Sequence, residues 1–194
     1  MYSDGVITLA PFEQTDLQRV QVWVNDPDLA RDVNRIRPVT GIEHEKWYAD
    51  LVTRDDAVTF AVSHKGQTIG LCGLKTIDNR SRHAELWIYV GEPGSRGQGL
   101  GRRAVELLTQ FGFDQLNLHR IHLYVAAYNE KAVHTYLACG FQEEGRFRDY
   151  VFIDGAYHDA IWMAILASDR GEKTEYVRAN AQCTELGRGP LSAF

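Results

Sequence analysis

Three glycines at alternate positions, Gly97, Gly99 and Gly101, stand in the run SRGQGLGRRAVE (residues 95–106), with Arg96 before them and Arg102 and Arg103 after. Glycine is the residue whose backbone is most costly to order, so this spacing marks a place where backbone must come close to something. A strand-like run precedes the glycines and a helix-like run follows. The amides from Gly97 through Gln98, Gly99 and Leu100 to Gly101 would then converge with the positive end of a helix, a setting that favours a pyrophosphate without a dedicated lysine. Two other glycine signatures fit less well. Gly99-x-Gly101-x-x-Ala104 has the spacing of a dinucleotide fingerprint, but it falls mid-chain after several strands, and residues 119–129 contain none of the acidic side chains that should answer it. A Walker loop lacks its Lys-Ser or Lys-Thr. A plain glycine-rich surface turn stays open on these residues alone.

Other residues have the types that catalysis needs. Asn129 reads as the N-cap of a short helix, and Tyr136 follows seven residues on, two turns along, so both can face one cleft. In HAELWIYV (residues 83–90), alternation puts Glu85, Trp87 and Tyr89 on one face and Leu86, Ile88 and Val90 on the other. A carboxylate beside two aromatic rings is a candidate base for an incoming ammonium, directly or through water. It is equally a carboxylate that pairs with Arg80, Arg82 or another base at the sheet surface. HEKWY (residues 44–48) starts like a zinc-protease helix, but Tyr48 stands where the second histidine belongs. His119 and His122 point to opposite faces of one strand, and His134 lies on a different side of its helix from Tyr136. No metal site is expected. Cys72, Cys139 and Cys183 are odd in number and widely spaced, which suits neither a disulfide framework nor a thiolate zinc site; they read as small apolar residues.

These groups need elements to hold them. VITLAP (residues 6–11) alternates as an opening strand, and Leu17, Val20 and Val24 recur at helical spacing until Pro27 stops the pattern and a loop follows. Thr40 and Glu43 form a capping box that opens a second helix with Trp47 and Leu51 on one side. AVTFAVSH, TIGLCGLKTI and HAELWIYV predict an antiparallel meander. A long helix runs from Gly99 to about Leu116, followed by a strand HRIHLYVAA, a short helix from Asn129 to Cys139, and two closing strands joined at Asp154-Gly155, a hairpin signal. The fold class is α/β in the α+β sense.

The 194 residues suit one well-buried domain, expected over 1–167, with 168–194 as a polar, glycine-bearing extension. Tyr176 and Val177 are its candidates to dock, and a subunit contact, as in a homodimer, is the role considered for it. Charged residues at 24% and apolar ones at 44% argue against a disordered or membrane chain, and a net charge of −5 gives no electrostatic footprint for nucleic acid. No apolar run approaches a membrane span and no signal peptide opens the chain, so a cytoplasmic location is expected.

RGQGLG, followed about thirty residues later by NEKAVHTYLACGF, resembles the GNAT superfamily of acetyl-CoA-dependent N-acetyltransferases. The similarity runs from about Val6 to Leu166. Its second half, with LNLHRIHLYV and GFQEEGRFRDYVFIDGAYHDAIWM, is similar to the RimJ/RimL-type and spermidine acetyltransferase branches. The resemblance implies a GNAT fold: a mixed, largely antiparallel central sheet flanked by helices, in which the strand before the glycine loop bulges and splays from the next to leave a slot for acetyl-CoA. It implies that Arg96, Gly97, Gln98, Gly99, Leu100, Gly101 and Arg102 hold the pyrophosphate. Tyr89, Val90 and Gly91 should border the thioester, a backbone N–H polarising its carbonyl, with Asn129 and Lys131 also on the coenzyme side. The family pattern N-x-x-A-x-x-x-Y-x-x-x-G-F is matched without a gap from Asn129 to Phe141 and places the tyrosine near the coenzyme sulfur. Tyr136 is therefore the expected general acid, against the plainer reading of a ring packed in the core.

In this family the two N-terminal helices, their linking loop and the closing strands build the acceptor pocket. QVWVNDPDLARDVNRI and EHEKWYADL resemble the matching parts of enzymes that acetylate nucleotide-linked amino sugars, whereas the closing half resembles the polyamine enzymes. The acidic cluster Glu43, Glu45, Asp50, Asp55 and Asp56 would suit a polycation, although such a run is usually a solvated helix face. The expected acceptor is a small primary amine, with the amino-sugar type favoured and Asn34, Trp47 and Trp87 as candidate contacts. A polyamine or a protein N-terminus comes second. A coenzyme A-binding sensor without turnover is the non-enzymatic reading, against which an intact Tyr136 speaks.

Overall fold

The computed structural model describes residues 1–170 of the 194-residue chain. Its strands are β1 (Tyr2–Ser3), β2 (Ile7–Pro11), β3 (Val58–His64), β4 (Gln67–Asp78), β5 (His83–Val90), β6 (Arg120–Ala126), β7 (Gln142–Ile153) and β8 (Ala156–Leu166). They form one sheet in the order β1-β2-β3-β4-β5-β6-β8-β7. All neighbours are antiparallel except β5 and β6, which are parallel and joined through a helical crossover. The expected mixed, largely antiparallel sheet is present. β1, a two-residue addition at the edge, was not read from the sequence.

The helices are α1 (Leu17–Val24), α2 (Pro27–Asp32), α3 (Gly41–Val52), α4 (Leu100–Asp114) and α5 (Glu130–Ala138). Pro27 does not lead into a loop as expected. It is the first residue of α2, where a proline has no needed amide to lose, and Asp26 caps that helix by accepting from the Leu29 amide at 2.9 Å. The Thr40 capping box is realised in both directions: Glu43 N donates to Thr40 Oγ1 at 3.3 Å and Thr40 N to Glu43 Oε2 at 3.0 Å.

Each face of the sheet carries its own core. On one, α4 packs Leu100, Ala104, Leu108 and Phe111 against Ile7, Leu74, Ala84, Leu86 and Ile121, with Ala132, Val133 and Tyr136 of α5 partly buried against them. On the other, Val20, Trp23 and Leu29 of α1 and α2 meet Ala61 and Leu71, with Trp47, Leu51, Trp87 and Tyr89 packed around them. The alternation read in β5 is thus the partition between the two cores, and truncating a fully buried residue such as Leu108 or Leu71 to alanine would cost about 2–5 kcal/mol.

β5 and β6 pair at only three positions, His83 with Arg120, Ala84 with Ile121 and Glu85 with His122, and then part. This is the splayed strand pair implied by the resemblance. The bulge is elsewhere. β5 pairs with β4 in unbroken register from Val90 to Glu85; one shift lies between β3 and β4, where Val62 faces Gly70 and Ser63 faces Thr68, leaving Ile69 as the extra residue, and another at the far end of β5, where the pairing passes from Lys75 with Glu85 to Asp78 with His83.

Asp154 and Gly155 both have positive φ, 51° and 80°, the mirror-image turn that suits a two-residue hairpin. Beyond β8, Arg170 pairs with Asp114 and lies over the Phe113 ring, so the start of the extension rests on α4. Tyr176, Val177 and Cys183 lie outside the described residues. Among those described, no helix is long and apolar enough to cross a membrane.

Candidate active site

The side chains of the glycine turn hold the turn itself. Arg96 folds back onto the end of β5, Nε donating to the Val90 carbonyl and Nη2 to the Gly91 carbonyl, both at 3.0 Å. Gln98 braces the Gly94 carbonyl, Arg102 pairs with Glu106 one turn along at 2.8 Å, and Leu100 is buried in the core. What the turn presents outward is backbone.

Each glycine has its own reason. Gly97 and Gly99 both sit at φ +74°, where a side chain is strained, and Gly99 is the residue from which α4 starts. Gly101 has no such need: a Cβ there would meet only Val90 Cγ2 at 3.6 Å, an ordinary contact. Nothing among the described residues requires glycine at 101, which fits an anion seated against the first turn of α4. Gly91 differs again, since a Cβ there would overlap the Trp23 ring; its glycine serves the packing of α1 on β5.

Asn129 caps α5 as read, its Oδ1 accepting from Ala132 N at 3.2 Å, and Lys131 is exposed on the first turn. Tyr136 is half-buried on the α4 face, its ring 5.8 Å from Phe141. Its ring packs, as the plainer reading had it, while its hydroxyl has no hydrogen-bond partner among the described residues. Burial pushes the phenol up to about 12, with Cys139 adding to the effect, so the group is protonated throughout the neutral range.

Glu85 pairs with Lys75, its cross-strand neighbour on β4, at 2.9 Å. The pairing reading is therefore realised, but with Lys75 rather than Arg80 or Arg82. Glu85 also stands opposite His122 at the last paired position before β5 and β6 separate, so it marks the closed end of the gap. Burial holds His122 below the usual histidine range, the Glu85 charge opposing, and its ring stacks on Trp162 at 5.2 Å.

On the same face as Glu85, between the sheet and α2 and α3, lies a cavity of about 720 Å³. The three candidate acceptor contacts, Asn34, Trp47 and Trp87, all line it, together with Tyr89. Asn34 contributes through its backbone as well. With φ +52° it ends α2 in a Schellman cap, Asn34 N donating to Arg31 O at 3.2 Å and Arg35 N to Ala30 O at 2.7 Å. His44, the first residue of the zinc-like run, is buried, its Nε2 3.1 Å from the Leu17 carbonyl and its ring stacked on Trp47 at 5.2 Å. It fastens α3 to α1. Burial holds it below the usual histidine range.

The lining contains Arg35, Arg37, Arg54 and Lys75, none of them singled out from the sequence, and Glu43 as its acidic side chain. Of the acidic cluster on and after α3, only Glu43 reaches the cavity, and it is occupied by the Thr40 cap. The run NRIRP was the available signal for the two loop arginines.

Residues 7–142 match the family described as an acetyltransferase (GNAT) domain. Over 165 residues the chain is 33% identical to the spermidine N(1)-acetyltransferase of Escherichia coli (strain K12), covering 85% of this chain and 88% of that one. The crystal structure of spermidine N-acetyltransferase from Vibrio cholerae in complex with CoA and spermine is similar at a TM-score of 0.80 and 33% identity, over 86% of this chain and 98% of that one. A dodecameric structure of the Vibrio cholerae enzyme gives a TM-score of 0.73 at 34% identity, over 85% and 96% of the two chains. With its parted strands and outward-facing glycine backbone, this chain belongs to the GNAT acetyltransferase family and is an acetyl-CoA-dependent N-acetyltransferase.

Proposed function

We propose that the chain moves the acetyl group of acetyl-CoA onto the primary amine of a small molecule by direct attack in a ternary complex. One observation carries this reading: Glu85 and the cavity lie on one face of the sheet, Tyr136 on the other, and the sheet is open between β5 and β6 immediately beyond Glu85. A group held in that gap is within reach of an amine from one side and a proton donor from the other.

Bound acetyl-CoA supplies a thioester whose carbonyl carbon takes the amine and whose sulfur departs. Gly97, Gly99 and Gly101 receive the pyrophosphate on their amides, while Arg96, Gln98 and Arg102 hold the turn in shape, with Asn129 and Lys131 at the α5 side. Tyr89, Val90 and Gly91 border the open end of the gap. Tyr136 keeps its proton at Oη and donates it toward the sulfur; because its phenol is raised to about 12, it acts first as a hydrogen-bond donor to developing charge. Glu85, with Lys75 at its side, takes the proton of the incoming ammonium directly or through water.

The two resembling runs of the second half support placement in the RimJ/RimL-type branch, and the dodecamer of the Vibrio cholerae enzyme supports a homo-oligomer. A polyamine acceptor is the second reading, supported by the spermidine enzymes among the relatives. The amino-sugar preference drawn from the N-terminal helices has no counterpart in those names.

Acetyl-CoA added to the full chain should raise its melting temperature, and free thiol should appear only when an amine is present. Gly101→Val should abolish the shift and leave the fold, since the new side chain meets no backbone of its own chain. A shift that survives the substitution overturns the pyrophosphate cradle, and one produced by NADH or FAD instead of acetyl-CoA returns the turn to the dinucleotide reading.

A further inference from the structure

The charge around the cavity is the wrong sign for a polycation. Its lining holds four cationic side chains and one carboxylate. Two of the cations are neutralised in place, Arg54 by a two-point pair with Asp56 at 2.7 and 2.8 Å and Lys75 by Glu85 at 2.9 Å. Glu43 is held by the cap of its own helix, accepting from Thr40 N and Oγ1, each at 3.0 Å. Arg35 and Arg37 remain, with no ion-pair partner among the described residues.

Their position is built. The loop that carries them is anchored at its start by the Schellman cap at Asn34 and at its end by Asn25, whose Oδ1 accepts from Val39 N at 2.7 Å and whose Nδ2 donates to Val39 O at 3.0 Å. Both arginines line the cavity at its exposed side, where the charge of Arg35 bears on Tyr89, Glu43 and His44. The cavity floor, Trp47, Trp87 and Tyr89, lies on the sheet face opposite α4 and its glycine turn, so these arginines are not part of the pyrophosphate cradle. An arginine fork in such a place matches a carboxylate or a phosphate, and the cavity volume suits a small molecule.

We infer that the acceptor is a primary amine that also carries an anionic group, a carboxylate or a phosphate, which Arg35 and Arg37 hold at the exposed side of the cavity while its amine reaches toward Glu85. This rests on the acetyl-transfer reading above and departs from the spermidine relatives in acceptor class. The same residues that receive the anion repel a polycation, which is how a site rejects a near relative of its substrate.

The test is thiol release by the full chain with acetyl-CoA and a matched panel. Spermidine and spermine are the polycations, and glucosamine is the anion-free parent of glucosamine 6-phosphate and of a nucleotide-diphosphate amino sugar. Amino-acid amides are paired with their free acids. The expected result is kcat/KM at least tenfold higher for the anion-bearing member of one pair; which pair responds separates phosphate from carboxylate. The double substitution Arg35→Gln/Arg37→Gln should raise KM for that acceptor about 10- to 100-fold, the usual worth of a hydrogen-bonded charge, with the acetyl-CoA melting shift retained as proof of folding. Arg35→Glu/Arg37→Glu should lower KM for spermidine. A kcat/KM for spermidine or spermine above that of every anion-bearing amine overturns the inference, as does an unchanged KM in the Gln pair or a loss of acetyl-CoA affinity there. Should the Gln pair fail to fold, Arg35→Lys/Arg37→Lys takes its place, and an unchanged KM in it overturns the fork. Absence of both the melting shift and thiol release with any amine would instead overturn the acetyl-transfer reading itself.

Discussion

The turn proposed for the coenzyme and the cavity proposed for the acceptor solve opposite problems. At the turn, side chains are consumed in holding backbone: Arg96 ties the end of β5, Gln98 ties Gly94, and the backbone of Gly97 and Gly99 is left exposed. At the cavity, backbone and amide side chains are consumed in holding a loop, and the charges of Arg35 and Arg37 are left to face outward. A site made of backbone tolerates little change in sequence, because a side chain is strained at the φ of +74° that Gly97 and Gly99 adopt. A site made of side chains can exchange its charges while the loop beneath stays as it is. The first is suited to a coenzyme common to a family, the second to acceptors that differ.

If the two halves are separable, substitutions should sort cleanly between coenzyme affinity, acceptor KM and turnover. The largest effect is expected at their junction: Tyr136→Phe should lower kcat by about 10²- to 10⁴-fold with little change in either affinity, since only the proton-bearing hydroxyl is removed. A better leaving thiol in the acyl donor should partly rescue it. Wild-type turnover would remove the acid from the mechanism, and a fall in acetyl-CoA affinity would move Tyr136 to the coenzyme half and blur the division.

Smaller, and confined to the acceptor half, Thr40→Ala should cost about 0.5–2 kcal/mol of stability in denaturant unfolding by removing the cap of α3. Acceptor KM should rise a few-fold because Glu43 loses its tether, while acetyl-CoA binding holds. Equal losses on both sides would show that the halves are one cooperative unit.

The smallest effect is one of pH. The Tyr136 phenol is raised from about 10 to about 12, so the folded state keeps a proton that the unfolded chain gives up between those values. Its contribution to stability is complete below pH 10 and is lost as pH climbs toward 12. Melting temperatures across that window should fall more steeply for wild type than for Tyr136→Phe. Parallel curves would mean the hydroxyl is not in a desolvated place.

How much of this was legible follows the same division. The meander, the long helix after the glycines, the Thr40 capping box and the closing hairpin are local patterns, and each lies where its residues predicted. The three candidate acceptor contacts, chosen from separate stretches of sequence, line one cavity. Pro27 was misread because a proline that ends one helix and a proline that opens the next look alike; the sign that separates them is Asp26, three residues before Leu29, a cap in waiting. The partner of Glu85 was missed because Lys75 is its neighbour only through the register of β4 on β5. Ile69 is the extra residue only through the register of β4 on β3, so the glycine motif carried no sign of where that irregularity falls. Arg35 and Arg37 were passed over since their direction depends on a positive-φ asparagine and on the grip of Asn25, fourteen residues before Val39.

The short parallel contact between β5 and β6 has a consequence outside catalysis. Five strands lie on one side of it and three on the other, and three residue pairs are the whole of the ladder between them. Protein structures open in cooperative blocks whose borders follow the weakest contacts. In this chain the sheet is weakest along the seam, so β6, β7 and β8 are joined to the first five strands mainly by the core they share under α4, and no antiparallel pairing crosses from one block to the other. What serves chemistry as an opening is, for folding, a fault line.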